Sequence, residues 1–251
     1  MDQIKAAAKN QAAWHDWQLR AQGRQCQQSD SLWSCLEAAT GPFLGAITIS
    51  PLESSGQKNQ MLSEIEHLVA ARKKANFVLC DSFGELDLTG LGFKLFGTET
   101  FYFRPALPDQ RVAISPELKI EEIRTPGELA AFERATYEGF EYDGDIPETG
   151  EWHAAASLGK PNMRYFAGRV EGRMVSVSIA VVSDGVVGVY GVATIPAHRK
   201  KGYGAALTWI ATQVAPGLPS VLEPSDIGLS MYKQLGFRDL NLGQSQRWGS
   251  P

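Results

Sequence analysis

A strand that leads directly into a helix through a basic, glycine-containing turn is the feature of this sequence that most constrains its fold. The strand is predicted from Val186 to Ala193, where β-branched residues are frequent, and Pro196 ends it. Apolar residues then recur at helical spacing at four positions: Leu207, Ile210, Ala211 and Val214. This order of elements predicts an α/β fold.

The turn between this strand and this helix has the composition of an anion site. Gly202 and Gly204 keep side chains away from the backbone, so that N–H groups can converge on an anion at the positive end of the helix. Arg199, Lys200 and Lys201 add positive charge. The spacing lacks the third glycine of the dinucleotide fingerprint and the closing Lys-Ser/Thr of the P-loop. The turn therefore predicts a pyrophosphate ligand other than NAD or ATP, and an ordinary exposed turn is the alternative.

A second motif follows between residues 222 and 237. It predicts a short strand and then a helix, with Ser225 or Asp226 as the N-cap and Gly236 as the residue that ends the helix. The helix closes on the pattern Tyr-x-x-Leu-Gly-Phe.

With both motifs present, the chain resembles the GNAT superfamily of acyl-CoA-dependent N-acetyltransferases. The resemblance rests on Arg-Lys-Lys-Gly-Tyr-Gly at 199–204 and on 225–237, and the order of predicted elements from 118 to 248 agrees with it. It implies an α/β GNAT fold with a mixed, largely antiparallel central sheet. It also implies acetyl-CoA as co-substrate, no metal, and transfer of an acetyl group to a primary amine by direct attack.

The resemblance also implies roles for individual residues. Tyr232 would be the general acid that protonates the departing thiolate, and a tyrosine that only packs on the cofactor arm is the alternative. In some relatives a glutamate that acts as the general base occupies the position where Ser220 stands here. Glu223 is the nearest carboxylate and so the candidate base, and a solvated residue at a strand end is the alternative. The residues implied to bind the co-substrate are Val192, Ala193, Thr194, Arg199, Lys200, Lys201, Gly202, Tyr203, Gly204, Ala205 and Ser225.

The clearest indication of the acceptor is the segment 138–153, which holds six carboxylates, while no Lys or Arg occurs from 135 to 159. In the implied fold this loop lines the acceptor side of the cleft. A negative rim with aromatic rings would concentrate and stack a cationic amine, which predicts a small-molecule or peptide amine as substrate. A merely solvated loop is the alternative. His153 could accept a proton. The candidate substrate residues are Glu141, Tyr142, Asp143 and Trp152.

The first half of the chain echoes the second. At an offset of 145, the run from Ile47 to Pro51 falls on the run from Val192 to Pro196, and at 144, Leu91-Gly92-Phe93 falls on Leu235-Gly236-Phe237. Ser54, Gln57 and Asn59 replace the arginine and both glycines of the basic turn. We therefore predict a tandem chain, with a degenerate, non-catalytic GNAT-like domain at 1–107 and a catalytic GNAT domain at 112–251. Chance similarity is the alternative.

Composition limits the remaining classes. A net charge of −4 gives no basis for nucleic-acid binding, and no apolar run approaches the roughly 20 residues that span a bilayer. Residues 1–11 do not resemble a signal peptide, so a cytoplasmic protein is expected. A monomer or a homodimer is expected, and the sequence does not distinguish them. Cys26, Cys35 and Cys80 show no metal-ligand spacing. A non-catalytic acyl-CoA sensor and a protein-modifying transferase remain the alternative functions.

Overall fold

The computed structural model describes residues 3–37, 43–71, 77–107, 111–143 and 152–250. These residues form two compact units. The first comprises 1–101 together with 239–251, and the second comprises 102–238. A search of the described residues found no helix long and apolar enough to cross a membrane.

The first unit is built on a six-stranded sheet. Its helices are α1 (Gln3–Ala21) and α2 (Ser55–Ala71). Its strands, in sheet order, are β1 (Cys26–Gln28), β2 (Leu32–Cys35), β3 (Ala46–Thr48), β4 (Val78–Asp81), β13 (Ser245–Gly249) and β5 (Lys94–Glu99). Only β3 and β4 are paired in parallel, and α2 connects them along the chain. Buried Ile65, Leu79 and Trp248 join this helix and sheet into one core.

The second unit is built on a seven-stranded sheet. Its helices are α3 (Pro126–Phe140), α4 (Tyr203–Thr212) and α5 (Leu229–Gln234). Its strands, in sheet order, are β12 (Arg238–Asp239), β6 (Tyr102–Arg104), β11 (Ser220–Leu222), β10 (Val186–Thr194), β9 (Arg173–Ser183), β8 (Met163–Val170) and β7 (Lys119–Glu122). Strands β7, β8, β9 and β10 pair with one another in antiparallel order, whereas β10 pairs with β11 in parallel. This is the mixed, largely antiparallel α/β sheet that the sequence predicts.

Local sequence signals explain how the elements of the second unit begin and end. Thr125 caps α3 in a capping box with Glu128. The hairpin turns between β8, β9 and β10 fall on Glu171-Gly172 and Asp184-Gly185, in which both residues have positive φ. Two such residues between antiparallel strands give the turn whose twist matches that of the strands. These turns hold the meander that precedes β10.

The boundaries of the units differ from the predicted 1–107 and 112–251. Strand β6, expected to close the first half, pairs antiparallel with β11 in the second sheet. Strand β13, at the end of the chain, pairs antiparallel with β4 and β5 in the first sheet. A short strand-forming segment does not identify its partner strand, so the sequence pattern could not assign these strands to a sheet.

Both units nevertheless share one order of elements. In each, a strand, a helix and a second strand parallel to the first are followed by a glycine with positive φ, Gly92 or Gly236. The second parallel strand then pairs with an antiparallel strand, β13 or β6. The predicted tandem repeat requires this common order.

Candidate active site

The centre of the site is the place where β10 and β11 separate. Their parallel pairing involves only Val187 with Ser220 and Gly188 with Val221, although β10 continues to Thr194. Against β9, the register of β10 shifts between Tyr190 and Ala193, where Gly191 has φ +56°. Such a bulge bends a strand and increases its twist. Within the described chain, no strand pairs with the β11-side edge of β10 beyond Gly188, so that edge can hydrogen-bond a ligand.

The basic turn connects the end of β10 to α4. Lys200 and Gly202 both have positive φ, and the first helical bond runs from the Ala206 N–H to the Gly202 carbonyl. The preceding N–H groups of a helix have no acceptor within it, so those at Tyr203, Gly204 and Ala205 are oriented as a helix-terminal anion site requires. The Tyr203 side chain is buried and donates to the Glu117 carboxylate, so only its backbone is suited to a phosphate.

Gly204 lies where three elements meet. A Cβ at this position would stand 3.4 Å from the Thr194 hydroxyl at the end of β10 and 3.3 Å from the Met231 sulfur on α5. The absence of a side chain therefore lets the start of α4 approach the end of β10 and α5 closely. Met231 belongs to the second motif but was not singled out from the sequence.

Arg199, predicted to bind the pyrophosphate, contacts other groups. Its Nη2 donates to the Gly139 carbonyl at 2.8 Å, its Nε donates to the Thr194 carbonyl at 3.2 Å, and its Nη1 lies 2.6 Å from a Glu141 carboxylate oxygen. A cation is stabilised at the C-terminal end of a helix, where carbonyls lack partners. Arg199 thus links the end of α3 to the end of β10.

The contact between α3 and β10 depends on a missing side chain at Gly139. A Cβ there would lie 2.8 Å from the Ala193 Cβ and 3.1 Å from the Thr194 nitrogen. We expect Gly139→Ala to destabilise the protein by about 1–3 kcal/mol, because the helix must move off the strand, and to weaken binding of the co-substrate. Urea unfolding and calorimetric titration measure the two effects. Gly127→Ala is the matched control on the same helix, since its Cβ would meet nothing within 4 Å; an equal loss in both variants would contradict the contact.

Tyr232, the predicted general acid, lies on α5 with only 6% of its surface exposed. Its ring stands edge-on to Phe237, and a Cβ at Gly228 would lie 2.6 Å from its Cε2. Burial raises the pKa of its phenol, which therefore stays protonated at neutral pH. Its hydroxyl has no hydrogen-bond partner among the described residues. Ser225 is exposed, and its hydroxyl accepts from the Gly228 N–H, so it shapes the turn before α5.

Glu223 directly follows β11, where β10 and β11 separate and a cleft begins between them. Burial raises the pKa of Tyr190 on β10, and the charges of Glu223 and Asp184 raise it further. Glu223 therefore acts electrostatically on a side chain of the strand that borders the cleft. Tyr190 was not predicted from the sequence, although a single tyrosine between Gly188 and Gly191 in an apolar strand could have indicated it.

The predicted acceptor residues occupy two environments. Tyr142 is 44% exposed, whereas Trp152 is 7% exposed and lies edge-on beneath it, with ring centroids 5.5 Å apart. Asp143 is exposed, and its carbonyl accepts from the Tyr137 hydroxyl at 2.6 Å. Glu141 is the ion-pair partner of Arg199. The carboxylates at 145, 148 and 151 lie outside the described residues.

His153 is too buried to be an effective base. It is 2% exposed, its backbone N–H donates to the buried Glu133 carboxylate, and Phe132 and Tyr165 stand edge-on to its ring. Desolvation lowers its pKa from 6.5 to about 3. Its imidazole is therefore neutral but binds a proton weakly, which favours a packing role.

This burial predicts an acid-sensitive fold. Between pH 6.5 and about 3, the unfolded chain binds a proton at His153 and the folded chain does not. The free energy of unfolding should therefore fall by up to about 1.4 kcal/mol per pH unit as the pH decreases through this window. Urea unfolding at several pH values measures the slope. His153→Gln should reduce it, and the exposed control His67→Gln should not; an unchanged slope in His153→Gln would contradict the effect.

Comparisons with known proteins bear on this geometry. A sequence model described as the Acetyltransferase (GNAT) family matches residues 128–237. No curated protein matches the chain. Among the described residues, no group of three or more His, Cys, Asp or Glu side chains could hold a metal ion.

Solved structures are similar over both units. A GCN5-related N-acetyltransferase from Kribbella flavida is 18% identical, with 96% of this chain and 95% of that chain covered and a TM-score of 0.63. A GNAT-family structure from Novosphingobium aromaticivorans is 19% identical, with 94% of each chain covered and a TM-score of 0.55. A conserved protein of unknown function from Staphylococcus epidermidis is 12% identical, with 90% and 94% covered and a TM-score of 0.62. At these identities the likeness concerns the fold.

The family match spans α3, the β8–β10 meander, the basic turn and α5, the same elements that build the site. Residues 128–237 therefore form a domain of the GNAT acetyltransferase family, whose members are acyltransferases with acetyl-CoA as their co-substrate.

Proposed function

We propose that this chain transfers the acetyl group of acetyl-CoA to a primary amine of a small cationic metabolite or of a peptide, with both substrates bound at once. The observation that carries this proposal is the separation of β10 from β11 after Gly188, with the available edge of β10 leading to the start of α4. A strand edge binds amides and a helix N-terminus binds phosphate. Acetyl-CoA supplies the activated acetyl thioester.

The residues present fit this co-substrate. In the proposed complex, the backbone of Val192, Ala193 and Thr194 binds the amide groups of the pantetheine arm. The backbone N–H groups from Lys200 to Ala205 bind the pyrophosphate, and exposed Lys200 and Lys201 add charge. Arg199 acts through its links to Gly139 and Thr194, as a positioning residue for the turn. Ser225 contributes through the turn that begins α5.

Two side chains are proposed to handle protons. Tyr232 donates its proton to the departing thiolate, since its raised pKa keeps the phenol protonated at neutral pH and its hydroxyl has no partner among the described residues. Glu223 accepts a proton from the amine, directly or through water, because it stands where β10 and β11 diverge. General acid–base catalysis of this kind contributes typically about a hundredfold to ten-thousandfold in rate.

The acceptor is proposed to bind beside Tyr142. Exposed Tyr142 offers a ring face to a cation, and Asp143 offers a nearby negative charge. Trp152 supports the Tyr142 ring from below, and Glu141 connects this rim to Arg199. Because the attraction is electrostatic, the KM for a cationic amine should increase with ionic strength.

Thiol release from acetyl-CoA tests the proposal, with polyamines, amino acids, aminoglycosides and short peptides as acceptors. Gly204→Glu is the blank, because its carboxylate would stand at the helix terminus that binds phosphate. Gly217→Glu is the matched control, since it adds the same charge where a Cβ meets nothing within 4 Å.

We expect amine-dependent release in the wild type and in Gly217→Glu, and none in Gly204→Glu. A preference for peptides over small amines would identify a protein-modifying transferase. Binding of CoA without release for any amine would overturn the proposal and favour the acyl-CoA sensor.

A further inference from the structure

Two cysteines of the first unit lie directly opposite each other. Cys26 on β1 and Cys35 on β2 are register partners in an antiparallel pair, and both are free thiols. They are separated by only a short hairpin, in which the Ser29 N–H donates to the Leu32 carbonyl at 2.8 Å. Their separation of nine positions along the chain gave no indication of this juxtaposition.

The register gives the pair the geometry of a cross-strand disulfide. Hydrogen-bonded and non-hydrogen-bonded pairs alternate along an antiparallel ladder. Since Ser29 and Leu32 are hydrogen-bonded, Gln27–Ser34 is the next such pair, and Cys26–Cys35 falls on a non-hydrogen-bonded position. The Cα atoms of such a pair are about 4.5 Å apart, inside the range of about 4.4–6.8 Å that a disulfide spans.

Neighbouring groups hold the hairpin against α1. Arg20 Nη2 donates to the Cys26 carbonyl at 2.9 Å, and its Nε donates to Asp16, which also accepts from the Trp33 indole at 2.9 Å. Arg20 therefore holds β1 against the helix, and Asp16 holds β2 against it. The register of the two strands places Cys26 and Cys35 opposite each other beside these contacts.

The thiols are also chemically unequal. A hydrogen bond from Cys26 lowers the pKa of the Cys35 thiol, and the positive charge of Arg24 lowers it further. Desolvation opposes the shift at Cys35, whereas a backbone hydrogen bond of Glu37 supports it. The hydrogen bond between the two thiols, followed by desolvation, raises the pKa of Cys26. Cys35 is therefore the better nucleophile of the pair, and Cys26 is the resolving thiol.

We propose that Cys26 and Cys35 form a dithiol site that low-molecular-weight disulfides, such as oxidised glutathione, convert to an intramolecular disulfide. The Cys35 thiolate attacks one sulfur of the small disulfide, which releases one thiolate and leaves a mixed disulfide. The Cys26 sulfur then attacks the Cys35 sulfur and releases the second small thiol. The two protein thiols lose two hydrogens, and one small disulfide is reduced to two thiols.

The position of β1 gives the oxidant access. Strand β1 has three residues and stands at one end of the order of the first sheet, and Cys26 is 8% exposed, whereas Cys35 is fully buried. Short edge strands open locally at a low free-energy cost. Oxidation is therefore expected to proceed at the rate of this opening, well before the protein unfolds.

Mass spectrometry of the full chain tests the site. The protein is incubated with oxidised glutathione, alkylated with iodoacetamide in guanidinium, and digested with trypsin. Both cysteines fall within one tryptic peptide, residues 25–58, and Cys80 falls in another, 75–94. We expect the first peptide to be two hydrogens lighter and unalkylated, and the second to be alkylated. Cleavage before Asp30 should leave the two parts of the first peptide joined.

Variants and reduction complete the test. Cys35→Ser should prevent the bond and leave at most a glutathione adduct on Cys26, and Cys80→Ser should still form it. Dithiothreitol should restore alkylation of peptide 25–58. A wild-type peptide that is fully alkylated after prolonged exposure, or that retains glutathione, would overturn the proposal. Because the wild-type protein gives the decisive result, a folding defect in either variant does not affect the conclusion.

Discussion

A chain trimmed to residues 112–251 is expected not to fold, although it contains the whole family match and every residue of the proposed site. Trimming removes β6, which pairs with β11 through Tyr102, Phe103 and Arg104. It also leaves β13 without β4 and β5. The truncated chain would therefore have an incomplete sheet and an unpaired strand, and exposed strand edges promote aggregation.

The expected loss is large compared with the stability of a domain. Tyr102 and Phe103 are buried, and each large buried side chain contributes about 1.5–3 kcal/mol of a total of about 5–15 kcal/mol. Arg104 is 2% exposed, and its Nε donates at 3.0 Å to the Leu235 carbonyl at the end of α5. Removing β6 would thus also release the helix that carries Tyr232.

The matched control is a chain of residues 102–239, which keeps all seven strands of the second sheet. Circular dichroism and urea unfolding should show a cooperative transition for 102–239 and none for 112–251. A cooperative transition of 112–251, with CoA binding like that of the full chain, would show that the exchanged strands are dispensable.

Replacing Tyr232 by phenylalanine is expected to lower kcat by about a hundredfold to ten-thousandfold, the usual contribution of a general acid. The change removes one buried oxygen, and that oxygen has no hydrogen-bond partner among the described residues, so the fold should be preserved. Since burial raises the pKa of this phenol, the wild-type enzyme should not lose activity through its deprotonation until the pH exceeds the ordinary tyrosine value of about 10.

Stopped-flow kinetics of acetyl transfer, alongside calorimetric measurement of CoA binding, separates chemistry from binding. Tyr102→Phe is the control, because it deletes the same atom from another buried tyrosine of the same core. A Tyr232→Phe enzyme with unchanged turnover across the pH range would show that Tyr232 only packs against the cofactor arm.

The sequence predicted the second unit well because its signals are local. Repeated β-branched residues, the turns at Glu171-Gly172 and Asp184-Gly185, and the glycines of the basic turn each specify a backbone conformation within a few residues. The helix that carries Tyr232 follows from the second motif. These features needed no knowledge of distant contacts.

Long-range pairing and side-chain direction could not be predicted in this way. The sheet membership of β6 and β13 depends on partners more than a hundred residues away. Arginine is a common phosphate ligand, but Arg199 donates a hydrogen bond to the Gly139 carbonyl at the end of α3. Trp152 was expected at the acceptor surface, and its burial beneath Tyr142 reflects aromatic packing that spacing alone does not encode.

The exchange of strands affects how this protein can be synthesised. Strand β13 lies between β4 and β5, so the first sheet lacks an interior strand until residues 245–249 have been translated. At about 5–20 residues per second, the ribosome needs roughly 7 to 30 seconds to proceed from the end of β5 to β13. During this interval β4 and β5 lack their shared partner, and unpaired strand edges favour aggregation. A chain that stops between β5 and β13 would thus leave the first sheet incomplete.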